Sequence, residues 1–344
     1  MALPKIVSLF SGAGGLDLGF RDSGFVLAFA IDRSVAAIKT HGRNFPGVKS
    51  LTADLVELGA KGVLDKLRDV LEPGEAIGVI GGPPCQGFSR ANAGSKADDP
   101  RNMLPMLYLD IIEALQREFD VKFVLFENVL GIRDAKHSVV FRGILSKFRE
   151  MGLHTAEVKE HCALDYGVAQ TRKRVIIAAF SDSACAAEFS PVRIESARLT
   201  VEAVLKGLPE PAYFSRSLKP ETIPVHPNHW TMRPVSKRFA EPNGVQPSGR
   251  SFRRLSWEKP SPTVAYGHRE IHVHPDGRRR LSVYEAMLLQ GFEPSFVLEG
   301  TFSEQVEQVS NAVPPPLAGA LARAIHLALI NAASADGPRR DLSA

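Results

Sequence analysis

Three cysteines in 344 residues, Cys85, Cys162 and Cys185, are too few and too widely spaced for a disulfide framework or a zinc site. A reducing compartment and no metal are the expectation. No apolar run approaches membrane-spanning length, and Ile6 to Phe10 is too short for the core of a secretion signal and runs straight into glycines. That predicts a cytoplasmic protein without a membrane partner. Internal repeats and low-complexity runs are also missing, which sets aside a repeat architecture. Charge of neither sign dominates: 42 Lys and Arg against 38 Asp and Glu give a formal +4 and a pI near 8.9, which suits a polyanion partner without requiring one. The remaining composition, 44% hydrophobic and 23% charged, is that of an ordinary globular chain long enough for two domains.

What is present is organised around Gly81-Gly82-Pro83-Pro84-Cys85-Gln86-Gly87-Phe88-Ser89. Ile77 to Ile80 is a short apolar run that reads as a buried strand stopping at Gly81. The prolines fix φ and withhold donors, so Cys85 sits on a pre-set loop at a strand end, a good place for a nucleophile. A lone cysteine in a tight turn is more often a small buried hydrophobe. The rest of the chain decides against that.

At the start, the strand-like Ile6 to Phe10 leads through Ser11-Gly12-Ala13-Gly14-Gly15 into Leu16 to Phe20, whose spacing allows a short helix. Such a turn lets backbone approach a ligand, although its spacing is not G-x-G-x-x-G. A second strand, Val26 to Ile31, ends at Asp32, where nucleoside-binding α/β folds place an acid for ribose hydroxyls; the same residue can instead cap the helix beginning near Ser34. Asp54 closes a third such stretch. Successive strand ends thus line up ligand-type residues along one edge of a parallel sheet. Val121 to Phe126 then closes at Glu127-Asn128-Val129, so a cysteine and a glutamate each follow a central strand and can face one pocket as nucleophile and proton donor. Gln170-Thr171-Arg172-Lys173-Arg174 precedes a further strand, Val175 to Phe180.

Taken in order, these stretches resemble the DNA cytosine-5 methyltransferases over nearly the whole chain. Phe10 to Gly15 is similar to that family's first cofactor motif, Asp32 and Asp54 to its ribose and adenine acids, and Pro83-Pro84-Cys85-Gln86 to its catalytic motif. Glu127-Asn128-Val129, Gln170 to Arg174, Arg280 to Glu285 with Leu289-Gln290-Gly291-Phe292, and Gln308 to Pro315 resemble the later ones. The resemblance implies an α/β, Rossmann-like S-adenosylmethionine-dependent methyltransferase domain with a smaller irregular target-recognition domain, acting on double-stranded DNA. It implies Cys85, Glu127, Arg172 and Arg174 as catalytic residues, with Arg174 donating to the cytosine O2. The cofactor would lie against Phe10, Gly12, Gly14, Gly15, Leu16, Asp32, Arg33, Asp54, Leu55, Pro83, Leu104, Asn311 and Val313, leaving as S-adenosylhomocysteine. Two positions depart from the family pattern: Arg33 stands where an apolar or aromatic residue is usual, and Ser310 where glycine is.

Residues 182–263 lose the βα rhythm, gather prolines and mix cationic, amide and aromatic side chains, which reads as loop-built recognition. Residues 1–181 with 306–335 form the expected catalytic domain, 264–305 a hinge and return segment, and 336–344 a tail. Gln86, Ser89, Arg90, Arg101, His229, Arg233, Arg250, Arg253 and Arg254 are the candidate DNA contacts; His226, His229 and Trp230 suit a small satellite core equally well. Arg278-Arg279-Arg280 faces DNA or forms a solvated turn. Leu317, Leu321, Ile325 and Leu329 mark a last helix that packs beside the first motif. A tRNA methylase of the same fold carries a Cys-Phe-Thr signature, which is missing, and a silent DNA binder would be expected to lose Cys85 or Glu127. No Cys-x-x-Cys supports redox work. A monomer serving beside a cognate restriction endonuclease, without a stable complex, is the expected setting.

Overall fold

Alternation along the strands explains the layering. In β5 (Asp120–Asn128), Phe123 and Leu125 join one apolar cluster while Val124 and Phe126 join another, because successive side chains leave a strand on opposite faces. The structure, a computed structural model, describes residues 2–84, 103–194, 198–241, 243–246, 252–263 and 272–335. β1 (Lys5–Leu9), β2 (Leu27–Asp32), β3 (Lys49–Thr52), β4 (Ala76–Gly81) and β5 run parallel in the order β3-β2-β1-β4-β5. Beyond β5 the sheet turns antiparallel: β9 (Lys173–Phe180) pairs with β5, and β6 (His154–Thr155) and β7 (Lys159–Cys162) pair with β9. β1 and β4 lead their chains in opposite directions across the sheet, which makes the crevice at their C-terminal ends the place where an open α/β sheet binds ligands. β2 starts one residue later than the sequence suggests, since Val26 stays 61% exposed.

Helices cover both faces. α3 (Leu55–Leu67), α4 (Leu104–Leu115) and α5 (Ser138–Glu150) share a cluster with Val7, Leu9, Phe29 and Ile31. On the opposite face α1 (Gly15–Asp22) lies against the C-terminal helix α10 (Pro315–Ala335), and both join the cluster of Ile6, Phe25 and Phe123. The two helices meet at backbone distance: a Cβ on Gly19 would fall 2.4 Å from the nitrogen of Gly319. Leu317, Leu321 and Ile325 are fully buried there, as the helical spacing of the last segment requires. By length and composition the helical stretch Phe302–Ser334 would suit a membrane, unlike the sequence expectation of no such run; 67% of its most apolar window is buried inside the protein, which marks it as a core helix. α2 (Val35–Asn44) packs on α9 (Phe302–Asn311), and α6 (Ser183–Glu188) on α10.

The remaining part is built from short pieces. β10 (Ala212–Tyr213) pairs with β11 (Trp230–Thr231), β12 (Arg253–Arg254) with β14 (His272–Val273), and β13 (Ser261–Pro262) with β8 (Gln170–Thr171). α7 (Val201–Leu205) and α8 (Val283–Leu289) sandwich a small core of Val201, Leu205, Leu255, Leu281 and Leu289. His226, His229 and Trp230 belong to such packing. The His226 ring stacks on Tyr284 at 4.1 Å with its Nε2 on the Phe296 carbonyl, and Trp230 Nε1 donates to Gln305 Oε1 at 3.0 Å.

Candidate active site

A cavity of about 410 Å³ opens at the C-terminal ends of β1, β2, β4 and β5. Phe10 leaves β1 with φ +54°, a left-handed conformation costly for a side chain of its size, and turns the chain into the cavity wall. Gly12 and Gly15 follow in the wall, with Leu16 at the start of α1. Gly15 admits no side chain, because a Cβ would lie 2.4 Å from the Val313 carbonyl oxygen. The first and the last cofactor motifs are therefore in direct contact. Asn311 and Val313 line the cavity from that side. Gly14, expected at the cofactor, is not part of the lining: it holds φ +93° as N-cap of α1, and its α-carbon faces Phe45 and His41, where a Cβ would come within 2.4 Å of the Phe45 ring. Its role is the turn itself.

Asp32 is tied to two segments at once. Its Oδ2 accepts from the Gly12 amide at 3.0 Å and its Oδ1 from the Ser34 amide at 2.8 Å. Burial pushes its pKa up, while those two amides and the Arg33 cation oppose the shift. The helix cap is Ser34 instead, whose hydroxyl accepts from the Ala37 amide. Asp54 does cap its helix, accepting from the Val56 amide at 2.8 Å, and it lines the cavity together with Arg33 and Leu55. Opposite stand Pro83, Pro84, Leu104 and Glu127.

Glu127 ends β5 with its side chain 11% exposed, and Arg174 Nε donates to its Oε1 at 2.7 Å. Arg174 also donates through Nη1 to the Lys173 carbonyl. The two side chains that the resemblance implies as catalytic are thus paired with each other. Gly82 lies close beneath this side chain: a Cβ there would sit 2.8 Å from Oε2, so any larger residue would displace the carboxylate. Asn128 Nδ2 donates to the Pro83 carbonyl at 3.2 Å, fixing the Gly-Pro turn to the end of β5. Arg172, between β8 and β9, is 2% exposed and lines the same cavity as Arg174. Cys85, Gln86, Ser89, Arg90, Arg101 and Arg250 lie outside the described residues.

A family model of the C-5 cytosine-specific DNA methylases matches residues 4–327. The chain belongs to that family. Among its relatives, the Type II methyltransferase M.MthTI of Methanothermobacter thermautotrophicus is 33% identical over 93% of this chain and 96% of its own length. The Type II methyltransferase M.NmeDI of Neisseria meningitidis serogroup C is 31% identical over 90% of this chain and 80% of its own. A protein of E. coli described as a DNA modification methyltransferase encoded within a prophage superposes with a TM-score of 0.77 at 25% identity, covering 95% of this chain and all of that one. A DNMT2 from Spodoptera frugiperda shares the fold at a TM-score of 0.63 and 16% identity, over 94% of this chain. The protein is thus an α/β DNA cytosine-5 methyltransferase, and the family and fold imply S-adenosylmethionine as its methyl donor and DNA as its substrate.

The cavity of the methylase fits that donor. Ser11 Oγ is buried in the wall without a hydrogen-bond partner among the described residues, and Asp32 and Asp54 stand at successive strand ends as ribose and adenine acids would. The volume lies within the range of pockets for ligands of this size. Beyond the expected ligands, the wall takes in Ser8, Asp17, Glu304 and Glu307, which lie outside the quoted motifs, and Gln308, which opens the last of them. Their helical spacing on α9 next to Asn311 was the available signal for the last three.

The expected DNA contacts among the described residues divide by exposure. Arg233 is exposed, its guanidinium 4.9 Å over the Tyr213 ring, and Arg253 is exposed as well. Arg254 is committed within the protein, donating to the carbonyls of Pro275 at 2.6 Å and Asn243 at 3.0 Å. His229 does not face DNA. It is fully buried, with Nδ1 on Ser282 Oγ and Nε2 on the Pro209 carbonyl, so both ring nitrogens are used. Arg279 is neither a DNA contact nor part of a solvated turn: it is 3% exposed and forks onto both oxygens of Glu285 at 2.8 Å.

Proposed function

We propose that this methylase is sequence-specific and methylates C5 of a flipped-out cytosine through a covalent adduct between Cys85 and C6. The observation that carries the reading is the juxtaposition of Glu127, Arg174, Arg172 and the Gly-Pro turn leading to Cys85 around one end of a cavity whose other end bears Asp32 and Asp54. C5 of cytosine is a poor nucleophile. A thiolate adding to C6 forms the S–C6 bond and pushes the C5–C6 π electrons toward C5, and cysteine with a pKa of about 8.5 needs only modest activation for this. S-adenosylmethionine, when bound, supplies the electrophilic methyl group. Addition makes N3 basic, and Glu127, steadied by Arg174, is the group to hold a proton there. Arg172 serves a phosphate or the cysteine loop. Loss of the C5 proton then lets the S–C6 bond break and the ring double bond re-form.

A base inside a stacked duplex offers neither C5 nor C6 to such a pocket, so the target must be extruded, at a cost of a few kcal/mol. We assign the recognition of its context to residues 182–263, less α6, which packs on α10. Residues 1–181 with 306–335 would form the catalytic domain, with 264–305 leading back to it. The protein would act as a monomer in the cytoplasm, beside a restriction endonuclease of the same site and without a stable complex. Bisulfite sequencing of plasmid DNA from a methylation-free host expressing the chain tests the reading. Conversion-resistant cytosines confined to one short recurring sequence are expected. Complete conversion with soluble protein present would overturn it and direct the assay to tRNA.

A further inference from the structure

Asp17 lines the cofactor cavity, yet both of its carboxylate oxygens are turned into the protein. Ser8 Oγ donates to Oδ2 at 3.0 Å, and His41 Nε2 lies 3.3 Å from Oδ1. His41 Nδ1 in turn contacts Ser50 Oγ at 2.8 Å, and Ser50 Oγ reaches the Val48 carbonyl at 3.4 Å. Asp17 and His41 are both 0% exposed and Ser8 is 1% exposed. A buried carboxylate is retained only where it is fully partnered.

Both ring nitrogens of His41 are thus engaged, Nε2 at Asp17 and Nδ1 at Ser50, and Ser8 gives its hydrogen to Asp17. The line thereby joins β1, α1, α2 and β3: β1 and α1 flank the Gly-rich turn, α2 follows Asp32, and β3 leads to Asp54. His41 also stacks on Phe45 at 4.4 Å, and these two rings are what the α-carbon of Gly14 faces.

We propose that Asp17 and His41 are positioning residues for cofactor binding: they touch no ligand and hold the Gly-rich turn in register with the two acids that do. The inference rests on the reading of this cavity as the S-adenosylmethionine site. It differs from a general contribution to stability because the line ties only the cofactor half of the cavity and reaches neither Glu127 nor Arg174.

The test compares Asp17→Asn, His41→Gln and Ser50→Ala with Asp32→Ala in the full chain. Affinity for S-adenosylhomocysteine, hydrogen exchange of the amides of residues 10–16 in the protein alone, KM for S-adenosylmethionine, kcat and DNA affinity are measured. Asp17→Asn is expected to weaken cofactor affinity about tenfold and to speed exchange in the turn, with kcat at saturation and DNA affinity within about twofold. The double variant Asp17→Asn/His41→Gln should be little worse than either single one, as for two members of one network. Unchanged cofactor affinity and exchange in folded Asp17→Asn, or a parallel loss of kcat and DNA affinity, overturns the proposal. If Asp17→Asn does not fold, Ser50→Ala decides by the same two readouts. Asp32→Ala separates the premises: unchanged cofactor affinity there defeats the assignment of the cavity, whereas loss there with none in Asp17→Asn defeats only the positioning role.

Discussion

Replacing Gly15 with alanine probes the contact on which the cofactor site depends. A Cβ at this position would stand 2.4 Å from the Val313 carbonyl oxygen and 3.1 Å from the Ala312 Cβ. The nearest atom belongs to backbone, so it cannot rotate aside. The segment Asn311 to Val313 must retreat by most of an ångström, or α1 must tilt. Overpacking of this kind costs about 1–3 kcal/mol. If the strain is relieved by opening the cavity wall, S-adenosylmethionine affinity falls by about 5- to 150-fold, since 1.4 kcal/mol is about tenfold. Any part retained in the folded state lowers Tm, by about 2–4 °C per kcal/mol for a chain somewhat shorter than this one. Gly12→Ala is the control. Gly12 has φ +55° with no protein atom within 4 Å of its Cβ position, so alanine there meets the left-handed backbone penalty of about 1–2 kcal/mol without displacing the last motif, and its Tm serves as the reference for backbone strain alone. Equilibrium binding of S-adenosylhomocysteine and thermal unfolding, each with both variants, give the comparison. Wild-type affinity and Tm in Gly15→Ala would refute the packing of the last motif against the first.

Cys85→Ser should lower methylation by about a thousandfold or more, because an alcohol is far less ionised and less nucleophilic than a thiol, while gel-shift affinity for the duplex is retained; near wild-type turnover would remove Cys85 as the nucleophile. Arg253→Ala should weaken DNA binding and reduce the slope of log affinity against log salt by about one, as expected for a phosphate contact. Arg254→Ala should instead lower Tm, because its guanidinium holds two backbone carbonyls, and a salt slope altered by Arg254→Ala alone would reverse the two roles. Burial lowers His161, His226 and His272 from 6.5 to about 4, so these rings are neutral in the folded protein and protonate more readily when unfolded. Their contribution is complete above pH 6.5 and is lost as pH falls toward 4, so Tm should drop steeply across that window; a flat Tm from pH 6.5 to 4 would contradict the neutral assignment.

Much of the parallel half of the sheet was readable from sequence because β2, β4 and β5 are short apolar runs that close on aspartate, glycine and glutamate, and Asp32, Gly81 and Glu127 are the residues that reach the cavity. Asp32 and Glu127 could be placed on that ground alone. What stayed hidden depended on distance across the chain. Nothing near Gly14 discloses that it faces Phe45 instead of ligand, and a histidine in a proline-rich segment looks the same whether it meets DNA or, like His229, the Pro209 carbonyl. Arg279 misled for a similar reason: three consecutive arginines read as a solvated or DNA-facing cluster, whereas the middle one is drawn inward by Glu285 six residues later. Charged side chains in irregular segments take their direction from tertiary partners that local pattern does not carry.

The seating of α10 against α1, with Gly19 and Gly319 at backbone contact, sets an order of events during synthesis. On the ribosome, the Gly-rich turn emerges about 300 residues before the helix that covers its neighbour. Loop closure over that separation delays such contacts relative to local ones. The nascent N-terminal half must therefore keep the apolar side of α1 uncovered until residues 315–335 have been made. A chaperone would meet that surface first, and a methylase interrupted before residue 311 would present strands and a cysteine loop but no closed cofactor wall.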